Sequence, residues 1–305
     1  MTASSTRPGS APRAPRTTGA HSQAPAPDSP TPCASSYHRL TALTPTLTVR
    51  CAPPRGGDGW LPVAELVADP QAVEELVTHD TLQGLARYGR PLRPDVAAGF
   101  GLHRLVWPVS LLFTVPWFLE RRVPLLGPGD VSVRRGPTAV ELTVRPEAFA
   151  CLPGDPAGGS PQARTAADGD ALAAELRDAL GGFLAPVLAA FGPRVRRGPR
   201  VLWAMATDAV VEGLWYAGGL LGEQERARAE LSVLLAPPAP GTHTPGAHGT
   251  AAPTPAPFTP GAGFALPVPG RVGAPDTDRA RASCCLVYTV EPEGMCTGCP
   301  RVTRR

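Results

Sequence analysis

Residues 130–145 (Asp130–Arg145) read DVSVRRGPTAVELTVR, and this stretch decides the fold class. Asp130 to Arg134 and Thr138 to Arg145 alternate apolar and polar residues with period two, on either side of Gly136-Pro137. That pattern predicts a β-hairpin. The flanking sequence is mostly helical in period, so the hairpin makes the protein α+β: mainly helical, with a small antiparallel sheet.

Upstream, Thr46–Cys51 (TLTVRC) reads as a first strand. Leu61–Tyr88 carries Val63, Leu66 and Val67, then Val73, Leu76 and Val77, at helical spacing. Pro70 should split this stretch into two helices, with Asp69 extended before it. Residues 94–119 are more apolar and read as buried core; their prolines obscure the boundaries. Within them Leu105–Leu119 is too short to span a bilayer and ends against Glu120, Arg121 and Arg122. No transmembrane segment is expected. Downstream, residues 151–169 read as a loop. Residues 170–191 form a helix with Leu172, Leu176, Leu180 and Leu184 one turn apart, weakened by Gly181-Gly182 and Pro186. Two more helices follow, over 201–221 and 223–235.

The chain has 39 prolines and 33 glycines among 305 residues, about twice ordinary usage, so part of it should be tail and linker. The expected organisation is a Pro/Ser-rich tail over 1–36, a helical α+β domain over 37–236, a Pro/Gly/Thr/Ala-rich linker over 237–278 and a short terminal module over 279–305. The first thirty residues have no apolar run of the secretory kind, which points to the cytoplasm or the inner face of its membrane. Lys, Ile and Asn are absent, so all 29 cationic residues are arginine. Without lysine there is no complete P-loop, no pyridoxal-phosphate Schiff base and no kinase-type strand lysine. A formal net charge of +3 gives no nucleic-acid signature.

Four of the seven cysteines crowd into the terminal module: Cys284-Cys285, ten residues, Cys296, two residues, Cys299. Adjacent cysteines bridge each other only with strain, and cytoplasmic thiols stay reduced, so a metal is favoured over disulfides. Four thiolates suit either structural zinc or a [2Fe–2S] cluster, and spacing alone leaves both open. In Cys296-Thr297-Gly298-Cys299, Gly298 lets the chain curl so that both sulfurs face one metal. Cys284 and Cys285 would point to opposite faces of a regular strand, so a turn must bring them together.

The module resembles a known family. R-x-S-C-C-L-x-Y over Arg281–Tyr288, followed by C-x-x-C-P over Cys296–Pro300, is similar to the C-terminal signature of the FhuF-type ferric-siderophore reductases. The resemblance implies that Cys284, Cys285, Cys296 and Cys299 hold a [2Fe–2S] cluster. It also implies one-electron reduction of siderophore-bound iron(III), fed by an external donor such as a ferredoxin or flavoprotein. The family often has Trp-Gly-Asn in an upstream helix, where this chain has Trp203-Ala204-Met205. Rival readings from other classes are a non-enzymatic structural zinc protein and an iron–sulfur redox sensor. Arg279, Arg281, Arg301, Arg304 and Arg305 flank the cysteines and would offset the charge of a cluster or attract an anionic chelate.

Other candidates carry plainer expectations. Cys33, Cys51 and Cys151 read as small buried or incidental residues. His243 and His248 fall in the linker as solvated bystanders, and His103 reads as a core residue. Arg194, Arg196, Arg197 and Arg200 read as a solvated basic run, or more sharply as a contact for chelate or donor. Trp203, Trp215 and Tyr216 read as core.

Overall fold

The computed structural model describes residues 31–136, 138–236, 258, 263–264, 279–293, 299 and 301. In chain order the elements are α1 (Ala34–Leu43), β1 (Leu47–Cys51), β2 (Trp60–Pro62), α2 (Val63–Ala68), α3 (Pro70–Tyr88), α4 (Pro94–Glu120), β3 (Arg122–Pro124), β4 (Val131–Arg135), β5 (Val140–Val144), β6 (Phe149–Cys151), β7 (Ala163–Thr165), α5 (Gly169–Val195), α6 (Pro199–Leu220), α7 (Gln224–Leu235), β8 (Gly263–Phe264) and β9 (Arg279–Ala280). The chain is α+β and mainly helical.

The predicted hairpin is β4–β5, antiparallel, with Val133 opposite Leu142. The sheet around it has the order β1-β5-β4-β2 and is mixed rather than purely antiparallel, because β1 runs parallel to β5. Parallel neighbours need a long crossover between them, and α2, α3 and α4 supply it. A second small sheet, β3-β6-β7, includes β7 from within the expected 151–169 loop. Asp155 of that loop accepts two hydrogen bonds from Arg122, at 2.8 and 2.7 Å.

The central helix is α4. By length and composition it could cross a membrane, but 78% of its most apolar window is buried inside the fold. It packs against α5 and α6 on one side and α3 on another. Pro108 and Pro116 lie inside it without ending it. Pro116 has no N–H for the Leu112 carbonyl one turn back, and the buried Tyr37 hydroxyl of α1 donates to that carbonyl instead, at 3.1 Å. The Ser35 and Ser36 hydroxyls of α1 also donate to Glu120, at the end of α4. The folded chain therefore begins ahead of residue 36, with Cys33 and Ser36 already buried. Residues 1–30 of the expected tail, and most of the expected linker, lie outside the described residues.

Pro70 separates α2 from α3 as the sequence predicts. Asp69 is extended and caps α3, accepting from the Gln71 N–H at 2.9 Å. Beneath the hairpin, the fully buried Asp80 of α3 is paired with Arg104 of α4 at 2.5 Å and with Arg135 of β4 at 2.8 Å. A Cβ at Gly101 would lie 2.5 Å from the Asp80 carboxylate, so this close approach requires glycine.

Candidate functional site

The terminal segment is docked on α6, where one side chain accepts three of its hydrogen bonds. Asp208 stands alone as an acid between Leu202 and Val211, on the buried side of α6. The N–H groups of Ala282 and Ser283 each donate to its carboxylate at 2.8 Å, and the Ser283 hydroxyl donates at 2.5 Å. Burial pushes the Asp208 carboxyl above the usual range, and the Ser283 hydroxyl chiefly opposes that shift. One helical turn on, Glu212 faces Arg279 at 3.3 Å and Arg281 at 3.5 Å. Arg279 also lies over the Trp215 ring, 5.7 Å from its centroid. From α3's end, Arg90 donates to the Val290 carbonyl. β9 pairs with β8 just before the docked turn.

This anchoring places the cysteines. The chain bends at Ala282 and Ser283, and Leu286 takes a left-handed φ of 62°, so Cys284 and Cys285 do not alternate as in a strand. Both line one cavity of about 450 Å³, floored by Gly99 of α4 and by Val201 and Met205 of α6. Arg197, Arg301 and Asp95 stand on its walls, and Asp95 is held by Arg93 at 2.7 Å. A second cavity of about 460 Å³ shares Gly99, Met205, Ser283 and Cys285 with the first and opens towards Tyr88, Phe100, His103 and Arg104. Cys299 is buried, 4% exposed, and lines neither cavity. Cys296 lies outside the described residues. Among the described residues no three ligating side chains are gathered into one set.

The family model of the FhuF 2Fe-2S C-terminal domain matches residues 281–301. Over these residues the chain is similar to the FhuF-type 2Fe-2S domain. No curated protein and no solved structure matches the chain. The match covers the docked turn, both cavity cysteines and Cys299, and it makes the cofactor a [2Fe–2S] cluster. The two described thiols on the cavity wall suit that group. Two thiols share a cavity wall, and soft sulfur is the ligand such clusters take.

The remaining sequence candidates separate cleanly. Cys33 and Cys151 are buried, and burial pushes the thiols of Cys33, Cys51 and Cys151 up, which suits inert side chains rather than ligands. His103 is half-buried on the wall of the second cavity, not in the core. Burial lowers its pKa, with the Glu212 carboxylate opposing and Arg281, Arg279 and Arg104 reinforcing, so it is neutral near pH 7. Of the basic run, Arg194 pairs with Glu74 at 2.8 Å and Arg197 reaches the first cavity. Trp203 and Trp215 pack against the core, whereas Tyr216 is exposed and meets Trp107 with ring centroids 5.6 Å apart. His243, His248, Arg304 and Arg305 lie outside the described residues. Sequence reading missed Asp208 and Glu212. The signal was available for Asp208, because an acid inside an apolar helix is buried only with partners.

Proposed function

We infer that this chain is a reductase of siderophore-bound iron(III), with Cys284, Cys285, Cys296 and Cys299 as the four ligands of its [2Fe–2S] cluster. The observation that carries the reading is the match to the FhuF-type domain over 281–301, where Cys284 and Cys285 line one cavity of ligand size and Cys285 also lines a second beside it. A bound cluster of this kind supplies a one-electron couple that can lie near about −400 mV.

The chain's own residues do the rest. Asp208 and Glu212 hold the Ala282–Ser283 turn and its arginines, so Cys284 and Cys285 are presented in fixed positions. Arg281 and Arg301 bring positive charge to the module, which favours added negative charge there. The cavity beside Cys285 gives a chelate access to that edge. The substrate iron takes one electron and passes from iron(III) to iron(II). Oxygen donors grip the lower charge far more weakly, so the metal leaves. The sequence carries no flavin or nucleotide motif, so each electron comes from an external donor, a ferredoxin or a flavoprotein. Such chemistry belongs in the cytoplasm, where thiols stay reduced.

The test mixes chemically reduced protein, without oxygen, with ferric hydroxamate, catecholate and carboxylate complexes and an iron(II)-specific trap. Loss of the reduced visible spectrum and appearance of iron(II) should rise together, one for one. If no complex reoxidises the protein faster than buffer, the reductase reading falls and a redox-sensor role replaces it.

A further inference from the structure

We propose that the second cavity is the substrate site and that it takes an anionic ferric chelate of the citrate type, whose iron is held by carboxylate and hydroxyl oxygens. The inference rests on the reductase reading and names its substrate class.

The cavity is about 460 Å³, towards the small end of the roughly 300–1,000 Å³ typical of ligand pockets. That is room enough for a compact polycarboxylate. Among the described residues it meets the cysteines only through Cys285, so a bound chelate would lie beside the Cys284–Cys285 pair without competing for both of those thiols. Its polar lining is basic: Arg87, Arg104 and Arg281, with a neutral His103. The carboxylates behind these groups do not cancel them. Asp80 is one negative charge shared by Arg104 and Arg135. Asp208 and Glu212 balance Arg279 and Arg281. Arg87 makes no ion pair among the described residues; its guanidinium lies 5.5 Å from the Tyr88 ring centroid. Among the described residues, two positive charges are therefore in surplus around this cavity.

That surplus is not needed for the cofactor's own charge. The first cavity, which both Cys284 and Cys285 line, has Arg197 and Arg301 on its walls, and its one acid among the described residues, Asp95, is already held by Arg93. Guanidinium forks match carboxylate oxygens in pairs, which makes a carboxylate chelate the fitting anion. Phe100, Met205 and Val287 supply the apolar part of the lining. In the reaction one electron enters, iron(III) becomes iron(II), and the iron–oxygen coordination bonds break. The carboxylates leave as anions, and the coordinated alkoxide takes a proton from water.

The experiment uses the cluster-loaded full chain and gallium(III) citrate, which has the charge and shape of the ferric complex and cannot be reduced. Calorimetry should show it binding at least ~10-fold tighter than a neutral gallium trihydroxamate, with affinity falling several-fold as salt screens the charges. Arg87→Glu, an exposed change at the end of α3, should weaken gallium citrate by about 5- to 10-fold. Equal binding of the neutral complex, no effect of Arg87→Glu, or equally tight binding of metal-free citrate would each overturn the proposal. A parallel turnover assay keeps the two readings apart. If gallium citrate binds but ferric citrate is never reduced, the site stands and the reductase reading fails. If a hydroxamate is reduced while gallium citrate does not bind, the reductase reading stands and this site fails.

Discussion

Replacing Asp208 by alanine should release the terminal segment while leaving the helical core folded. The carboxylate accepts three hydrogen bonds from Ala282 and Ser283, and Arg281 lies 3.8 Å away. A hydrogen bond to a charged group is worth about 1.5–3 kcal/mol net, so three set an upper bound near ~9 kcal/mol. The real loss is smaller, for two reasons. The three bonds share one carboxylate, and the buried charge carries a desolvation cost, visible in its raised pKa, that the substitution removes. A net loss of about 3 kcal/mol is a reasonable working value, which is roughly 100-fold in the docking equilibrium. The loss should appear as local opening rather than global melting, because the freed N–H groups can reach water once the segment lifts. Trypsin reads this directly. Arg279 and the Arg281 side chain are each 9% exposed in the docked state. Cleavage after Arg281 should accelerate about 100-fold in Asp208→Ala, with the thermal midpoint of the core little changed. Asp208→Asn, which sets an amide's N–H groups against three donors, should fall in between. If cleavage changes by less than about threefold while the core midpoint drops by the equivalent of ~3 kcal/mol, Asp208 supports α6 packing rather than docking, and the reasoning fails.

Three further outcomes are expected. Serine at Cys284, Cys285, Cys296 or Cys299 should abolish the visible cluster absorbance, whereas Cys33→Ser, Cys51→Ser and Cys151→Ser should keep it; a colourless, zinc-loaded wild type from an iron-replete anaerobic preparation would refute the ligand assignment. Asp80→Asn should cost about 3–5 kcal/mol by calorimetry, because it leaves Arg135 buried without its counter-ion. The hydrogen bonds from Arg122 hold the Asp155 carboxyl below its usual range, so its contribution is present above the unfolded pKa and is lost as pH falls through the folded one. The stability gap between wild type and Asp155→Asn in urea should therefore be full near pH 6 and close as pH drops below about 4; a gap that does not change with pH would refute this.

How much of this the sequence discloses depends on whether the signal is local. The β4–β5 hairpin and the Pro70 break are written in residues a few positions apart and fold as read, and so does the leucine face of α5, although that helix runs on through Gly181-Gly182 and Pro186 to Val195. The parallel pairing of β1 with β5 is not, because it joins residues about ninety positions apart and depends on where three helices place β1. The continuity of α4 through Pro116 is equally non-local, since the donor that satisfies Leu112 comes from Tyr37. At the site, the cysteine pattern is compact enough to read directly. Its anchor is not, because Asp208 and Ser283 lie 75 positions apart. The lone acid in an apolar helix shows that some partner must exist without naming it. His103 misleads for the same reason: its apolar neighbours in sequence describe one face of α4, and the ring lies on the other, against the cavity.

The arrangement of acids around the cysteines would favour thiolates over carboxylates as ligands there. Among the described residues, four carboxylates that stand on or behind the two cavities are each occupied. Asp208 accepts from two backbone N–H groups and a hydroxyl, and Glu212 faces Arg279 and Arg281. Asp95 is held by Arg93, and Asp80 is shared by Arg104 and Arg135. A hard cation seeking oxygen donors would have to break one of these pairs and leave an arginine or a buried N–H group unpaired, at a cost of several kcal/mol. A soft iron–sulfur unit needs none of them, because Cys284 and Cys285 already face the cavity. The same pairing leaves, among the described residues, a positive surplus at Arg87 and Arg104, where an anionic substrate would meet it.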